Sequence, residues 1–455
     1  MSKGSIFIPI FLFSLALPLV FSVGPLSLSP YRLLLILAFI PATILWFSNK
    51  RYAKILPDFL VLFFPLWATI ALTAIYGFGR AIEAGGIIAI ETAGAYFLAR
   101  VLVCTPERFD QLCKWLILVI LMLLPFSLFE TITERNIPLQ IFNAIGNTPG
   151  LVLADKRWGF DRVQGPFEHP ILYGVFCGMG VSIAFYYRYY VQSVFVRYTR
   201  TFFVVLAAVL SFSSGPLAGI SGQIMLIGYD LVTRHIVTRW KILMGVVAVL
   251  WVSIDLLSTR SPPQVFITYF AFSAHSAYNR VFIWRYGTES ILNNPLFGIG
   301  YEEYQRPWYV FSSSVDMFWI LPSMQFGIPA GFSLLIAFAF IAIKTARADI
   351  KQEKVLIQRR AMMICLFGIF LSGWTVHFWN ATYVLVVFMF GASVWFFTNK
   401  EIANDEASTL ASEDSSGRHE ASERKEKNKT QNRHTTKTTR LGYTRPKRDK
   451  VNSKD

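Results

Sequence analysis

Charge is what this chain has least of. Asp, Glu, Lys and Arg supply 16% of its 455 residues, against about 25% in a soluble domain, and that deficit excludes an ordinary water-soluble globule. Cysteine is scarce as well. Cys104, Cys113, Cys177 and Cys365 are the only four, and their spacing matches no zinc motif. Two fall in or beside a loop expected to face the cytoplasm and two inside apolar runs, so no external pair exists to oxidise, and all four read as packing residues. The sequence has no Walker loop, no Rossmann glycine pattern and no metal-binding His pair, which leaves ATP-driven and dinucleotide chemistry without support.

Apolar residues are abundant instead: 54% hydrophobic and 16% aromatic. Runs near 20 residues recur, each long enough to cross a ~30 Å hydrocarbon layer. They place spans near 5–23, 31–48, 55–76, 84–103, 115–130, 170–187, 201–213, 216–233, 241–257, 317–343, 361–379 and 383–397. The expected fold is therefore all-α: a polytopic membrane domain over 1–397 with about twelve transmembrane helices and a large external loop containing short helices. The pair at 201–233 is ambiguous, because Ser213-Ser214-Gly215-Pro216 reads equally as a mid-membrane break. The first segment is too long and too poor in a small-residue cleavage site for a removed signal peptide, and is taken as the first span. Residues 398–455 hold 14 basic and 10 acidic side chains without apolar periodicity. They read as a disordered, cytoplasmic, basic tail, whose charge run is solvated or rests near anionic headgroups; no nucleic-acid partner is expected.

Orientation follows from the basic residues. With both termini cytoplasmic, all five inside loops are basic, as the positive-inside rule asks. The outside loops carry Arg32, Arg80, Arg135, Lys156, Arg157, Arg162, Arg260, Arg280, Arg285 and Arg306. Nine of these ten are arginine. Topology alone would not require this, and it hints at a bound anion, for which the planar arginine fork is suited.

Only two outside connections are long, roughly 131–169 and 258–316, and long loops in a membrane protein suggest a site. The first ends in RWGFDRVQGPFEHP (157–170), where Arg162, Glu168 and His169 gather just before Pro170 opens a helix. His169 reads as a general base, a phosphate ligand or a helix cap. Arg162 is a candidate anion binder, or pairs with Asp161. The second contains NRVFIWRYGTESILNNPLFGIG (279–300), expected as a short helix over 279–292 that stops at Asn294-Pro295. Arg280 and Trp284, four apart, share a face. Arg285 and Glu289, four apart on the next face, form an intrahelical ion pair worth ~0.5 kcal/mol. The competing reading is an interfacial helix anchored by Trp and Arg. Either way Val281, Phe282 and Ile291 would be buried. Beyond it, Tyr301, Glu302, Glu303, Tyr304, Arg306 and Trp308 suit sugar faces and hydroxyls, and Asp316 begins the following span.

These pieces resemble the O-antigen ligase and polymerase superfamily of bacterial envelope proteins. RVQGPFEHP (162–170) is similar to that family's Arg–Gly–Phe–His–Pro stretch. Residues 280–300 are similar to its Arg, Trp, Asn-Pro-Leu-x-Gly-x-Gly pattern, and 314–331 to its polar start, apolar run and Gly-Ile-x-x-Gly. The family's Ser-Arg turn is SSGPL here, and Asp316 stands where ligases commonly place a histidine, which favours a polymerase over a ligase. The resemblance implies a protein of the bacterial inner membrane. It implies glycosyl transfer on the external face from a polyprenyl-diphosphate-linked glycan to a glycan or lipid-core acceptor, alongside membrane lipid and other polysaccharide assembly proteins. No cofactor and no metal are called for. Arg280, Arg162 and then Arg285 would steady the leaving diphosphate. Glu168, His169 or Asp316 would take the acceptor proton. Trp284, Tyr301, Tyr304 and Arg306 would contact sugar. The competing class is a twelve-helix secondary transporter, although only Glu91 looks deep and no repeat relates 1–200 to 201–397. A non-catalytic scaffold of a polysaccharide export complex is a third.

Overall fold

The computed structural model describes residues 5–23, 26–152, 154–259, 261, 262, 264, 265, 274–310 and 312–399. The tail expected to be disordered lies outside the described residues from position 400 onward, and so does Arg260.

Among the described residues the chain is almost wholly helical. Eight helices are long and apolar enough to cross a membrane: Pro30–Ser48, Leu56–Tyr76, Phe78–Leu102, Pro106–Thr133, Arg239–Leu257, Ile328–Ala346, Glu353–Gly373 and Asn380–Thr398. This set is compatible with a multi-pass membrane protein. Proline sits in the first turn of several of them, where its missing N–H would be unpaired anyway.

The other four expected crossings differ in instructive ways. Over 5–23 the helix stops at Leu15, short of Pro18, which restricts the residue before it and donates no hydrogen bond. Phe21–Val23 then pairs antiparallel with Leu26–Leu28, Phe21 opposite Leu28, so the fold is not purely α. Pro170–Tyr186 is a shorter apolar helix, and Val194–Val209 has 16 residues. Ser214–Val232 has 19 but is rich in Gly and Ser. The reason is packing. A Cβ on Gly219 would lie 2.2 Å from Ser372 Oγ, and one on Gly222 2.4 Å from Leu371. Small residues here let two backbones approach, as they do between membrane helices.

Of the buried carboxylates among the described residues, only Glu91 lies in the middle of a long helix, Phe78–Leu102, and the others sit near helix ends. Asp58, Glu130 and Asp230 are as buried as Glu91. Each is neutralised near a helix end: Asp58 by Arg100, Asp230 by Arg239 and Arg360, and Glu130 by loop amides. Glu91 pairs with Arg32 at 2.8 Å, within a π-helical turn over Ile90–Gly94.

Two long connections converge on the site. The second runs helically from Ala274–Phe282 through a π turn, Ile283–Gly287, to Thr288–Asn293. Val281 and Ile291 pack on Ile283, Met317 and Ile320. The Asn-Pro-Leu-Phe-Gly-Ile-Gly stretch that follows is a backbone bracket. Ile299 N–H donates to Met324 O and Gly300 N–H to Gln325 O, both at 2.9 Å, and Ile328 N–H donates to Pro295 O at 2.7 Å. Gly327 makes the close approach: its φ is +86°, and a Cβ there would lie 1.9 Å from Leu296 O.

Candidate functional site

The first loop is organised by a buried carboxylate. Glu130, in the last turn of Pro106–Thr133, accepts the backbone N–H of Gln164 at 2.8 Å, that of Gly165 at 3.1 Å and the Asn136 amide at 3.2 Å. The buried Gln164 side chain accepts from Val152 N–H and donates to Gly150 O and Phe167 O. Gly165 turns at φ +57° against the Tyr173 ring, which a Cβ would meet at 3.0 Å. Val163 N–H donates to Leu210 O at 3.1 Å, docking the loop on the turn 210–213.

That docking sets Arg162. Its Nη2 donates to Ser213 Oγ at 2.8 Å, while the serine proton is directed to Ser211 O at 2.9 Å. The adjacent Ser214 Oγ accepts from Arg280 Nη2 at 2.9 Å. Two guanidinium groups from separate loops are thus joined through neighbouring hydroxyls. The joint is the first turn of Ser214–Val232, where helix amide groups lack intrahelical partners and the dipole favours an anion. Arg280 is 7% exposed, and its Nη1 is buried without a hydrogen-bond partner among the described residues.

Both arginines line one cavity of about 220 Å³, together with Arg157, His169, Asn279 and Asp316. Three guanidinium groups therefore face one carboxylate. Burial pulls Arg162 and Arg280 down to about 10, and the Arg157 charge acts in the same direction on each; both remain cations at neutral pH. Burial, and then the Arg162 charge, lowers His169 to about 4, so its ring is neutral. His169 caps the helix that starts at Pro170: its Nδ1 accepts Ile171 N–H at 3.1 Å. A neutral imidazole accepting at Nδ1 carries its proton on Nε2, so in this arrangement His169 presents an N–H donor. Asp316 Oδ1 accepts from Ser314 Oγ at 2.7 Å and is the carboxylate within the cavity.

The structure separates Glu168 from this group. Backbone at His169 is extended, with φ −157° and ψ 146°, and extended chain sends consecutive side chains to opposite sides. Glu168 Oε1 accepts from Asn380 Nδ2 at 2.8 Å, and Asn380 Oδ1 accepts from Arg32 Nη2 at 2.9 Å. This is a second polar cluster, shared with Glu91, and burial raises the Glu168 carboxyl above its ordinary range.

Other expected contacts also fall elsewhere. The π turn adds a residue to the helical repeat and undoes the four-residue pairing. Among the described residues no ion pair joins Arg285 to Glu289, and Arg285 is exposed. Trp284 packs on Trp374, ring centroids 5.9 Å apart, and among the described residues no cation–π contact joins it to Arg280. Tyr301 stacks on Tyr76. Tyr304 and Arg306 line a different cavity, with Arg306 bound to Glu303 at 2.8 Å. Asp161 pairs with Lys156 instead of Arg162. The arginines expected in outside loops therefore do not form one set.

Sequence reasoning missed Ser213, Ser214 and Asn279. The signal available for the serines was the Ser-Ser-Gly-Pro break itself: a helix start with two hydroxyls before a proline. A scan against protein-family models gives no match for the chain, and a search of curated proteins gives none.

Proposed function

We propose that the protein is a membrane glycosyltransferase that moves a glycan from a polyprenyl diphosphate to a sugar hydroxyl, extending a bacterial surface polysaccharide. The observation that carries this is the unpartnered Nη1 of buried Arg280, in a cavity shared with Arg162 and a helix N-terminus. In the reaction the acceptor oxygen bonds to the anomeric carbon. The bond from that carbon to the diphosphate oxygen breaks, and the diphosphate leaves with the electron pair. Charge grows on the leaving group, so pre-placed guanidinium groups stabilise the transition state more than the bound substrate. Asp316 takes the acceptor proton, and His169 Nε2–H serves as a neutral donor. On the reading of about twelve crossings of the inner membrane with both termini cytoplasmic, this cavity lies on the external side. Asp316 in place of an imidazole favours polymerisation over ligation to a lipid core.

A deletion strain tests this by the gel profile of its surface polysaccharide. Single-repeat products support a polymerase, and full-length chains retained on the carrier support a ligase. An unchanged profile refutes both. One observation favours a second reading, secondary transport: the buried Glu91–Arg32 pair in a π-distorted helix borders its own cavity of about 420 Å³. An unchanged profile, together with loss of a transported solute, would support it.

A further inference from the structure

The helix that carries Arg280 lines a second, larger cavity of about 570 Å³ further along. Tyr286, which opens it, lies six residues on, about 9 Å at 1.5 Å per residue. The two cavities share a wall. Val315 packs both on the Ile283 cluster and on the Tyr304 cluster, and its chain neighbours Ser314 and Asp316 face the cationic cavity.

The chemistry of the second cavity is of the opposite kind. Its charged lining is Glu289, Glu302, Glu303 and Arg306, and Arg306 is already held by Glu303. The excess of carboxylate repels a diphosphate. Asn293 and Asn294 add amides, and Tyr286 adds a partly buried ring. Tyr304 is 3% exposed, lines this cavity, and its hydroxyl has no hydrogen-bond partner among the described residues. A buried hydroxyl left unpaired at a cavity wall is free to bond a group that enters the cavity. Carboxylates and amides that bond paired hydroxyls, beside an aromatic ring that covers C–H faces, suit a polyhydroxylated ligand without negative charge.

We infer that this cavity is a glycan subsite that takes uncharged sugar residues of the acceptor chain, one to two rings from the diphosphate-binding arginines. The assignment of the ligand as acceptor rests on the glycosyl-transfer reading; the binding itself does not. The test uses the full-length protein in lipid nanodiscs and two probes: short fragments of the host's own surface polysaccharide, and inorganic pyrophosphate. Fragments should bind wild-type protein with little dependence on salt, because no ion pair is involved. Tyr304→Phe and Asn293→Ala should each weaken them about tenfold, the scale of one lost hydrogen bond. Pyrophosphate should be unaffected by both changes and weakened by Arg280→Lys. Tyr304→Phe keeps the packed ring and Asn293 is exposed, so unchanged pyrophosphate affinity certifies folding. Fragments that fail to bind wild type, or that bind both variants as well as wild type, overturn the subsite. Fragments that bind as expected while pyrophosphate does not would sustain the subsite and remove the leaving-group site from the transfer reading.

Discussion

Arg280→Lys is the substitution that separates a two-pronged anion clamp from a simple positive charge. Arg280 divides its donors: Nη2 is spent on Ser214 Oγ at 2.9 Å, and Nη1 is left for a ligand. A lysine ammonium on an unbranched stem cannot hold both positions at once. One charge-assisted hydrogen bond is lost, worth ~1.5–3 kcal/mol, which converts to a fall of about 10- to 150-fold in kcat/KM. Ser214→Ala keeps the guanidinium and removes only its tether, so its effect should be smaller and should appear first as weaker pyrophosphate binding. The assay is chain-length distribution of surface polysaccharide in cells, alongside pyrophosphate affinity of the purified protein. Membrane protein level and melting temperature must match wild type, because misfolding would imitate the loss. Arg280→Lys with wild-type polysaccharide and wild-type pyrophosphate affinity would refute the clamp and leave the arginine as a packing or anchoring residue.

His169, held near 4, contributes stability that is complete above its unfolded value of about 6.5. Acidification through that value erodes it until about pH 4, since the unfolded chain takes up the proton first. Melting temperature followed against pH should show this window, and His169→Asn, which can still cap, should remove it. The pH–rate profile should carry no limb near 6.5 assignable to this ring; a limb that His169→Asn abolishes would restore it as a base. Gly165→Ala should destabilise the first loop by ~1–2 kcal/mol from the left-handed backbone alone, with further loss from the Tyr173 contact, read as a lower melting temperature and weaker pyrophosphate binding through displaced Arg162. Arg285→Ala should leave pyrophosphate binding and polysaccharide unchanged, since that side chain is exposed and outside the cavity.

Hydropathy located the helices because apolar length is a local property, and over 5–23 it missed the stop before Pro18 and the strand that follows. Ser214–Val232 can be Gly- and Ser-rich because its contacts are to Ser372, Gly368 and Leu371. The arginines were visible as residue types in long loops. Their meeting point was not, because Ser213 and Ser214 carry no spacing signal and lie in an apparent break between spans. Glu168 was grouped with His169 by adjacency, but an extended backbone turns neighbours apart. Trp284 and Arg285 were placed by a four-residue period that the π turn at Ile283–Gly287 interrupts. Gly298 and Gly300 stood out in sequence, and their use is structural: they let 295–300 lie against 324–328.

That bracket has an architectural consequence. Main-chain bonds between 299–300 and 324–325 bring the two ends of residues 301–323 together; Phe318 and Trp319 dock its second half on 373–376, and what remains is the stretch 301–310. It is a cassette. Its length and side chains can change without moving the helices, because loop-closure entropy rises only slowly with length, whereas Met317, Trp319 and Ile320 further on are buried in the core and cannot. Specificity for different sugars is open to exchange by replacing residues 301–310, which carry Tyr304 and Arg306 of the second cavity, while Asp316, the arginine–serine joint and the helices that hold it stay as they are.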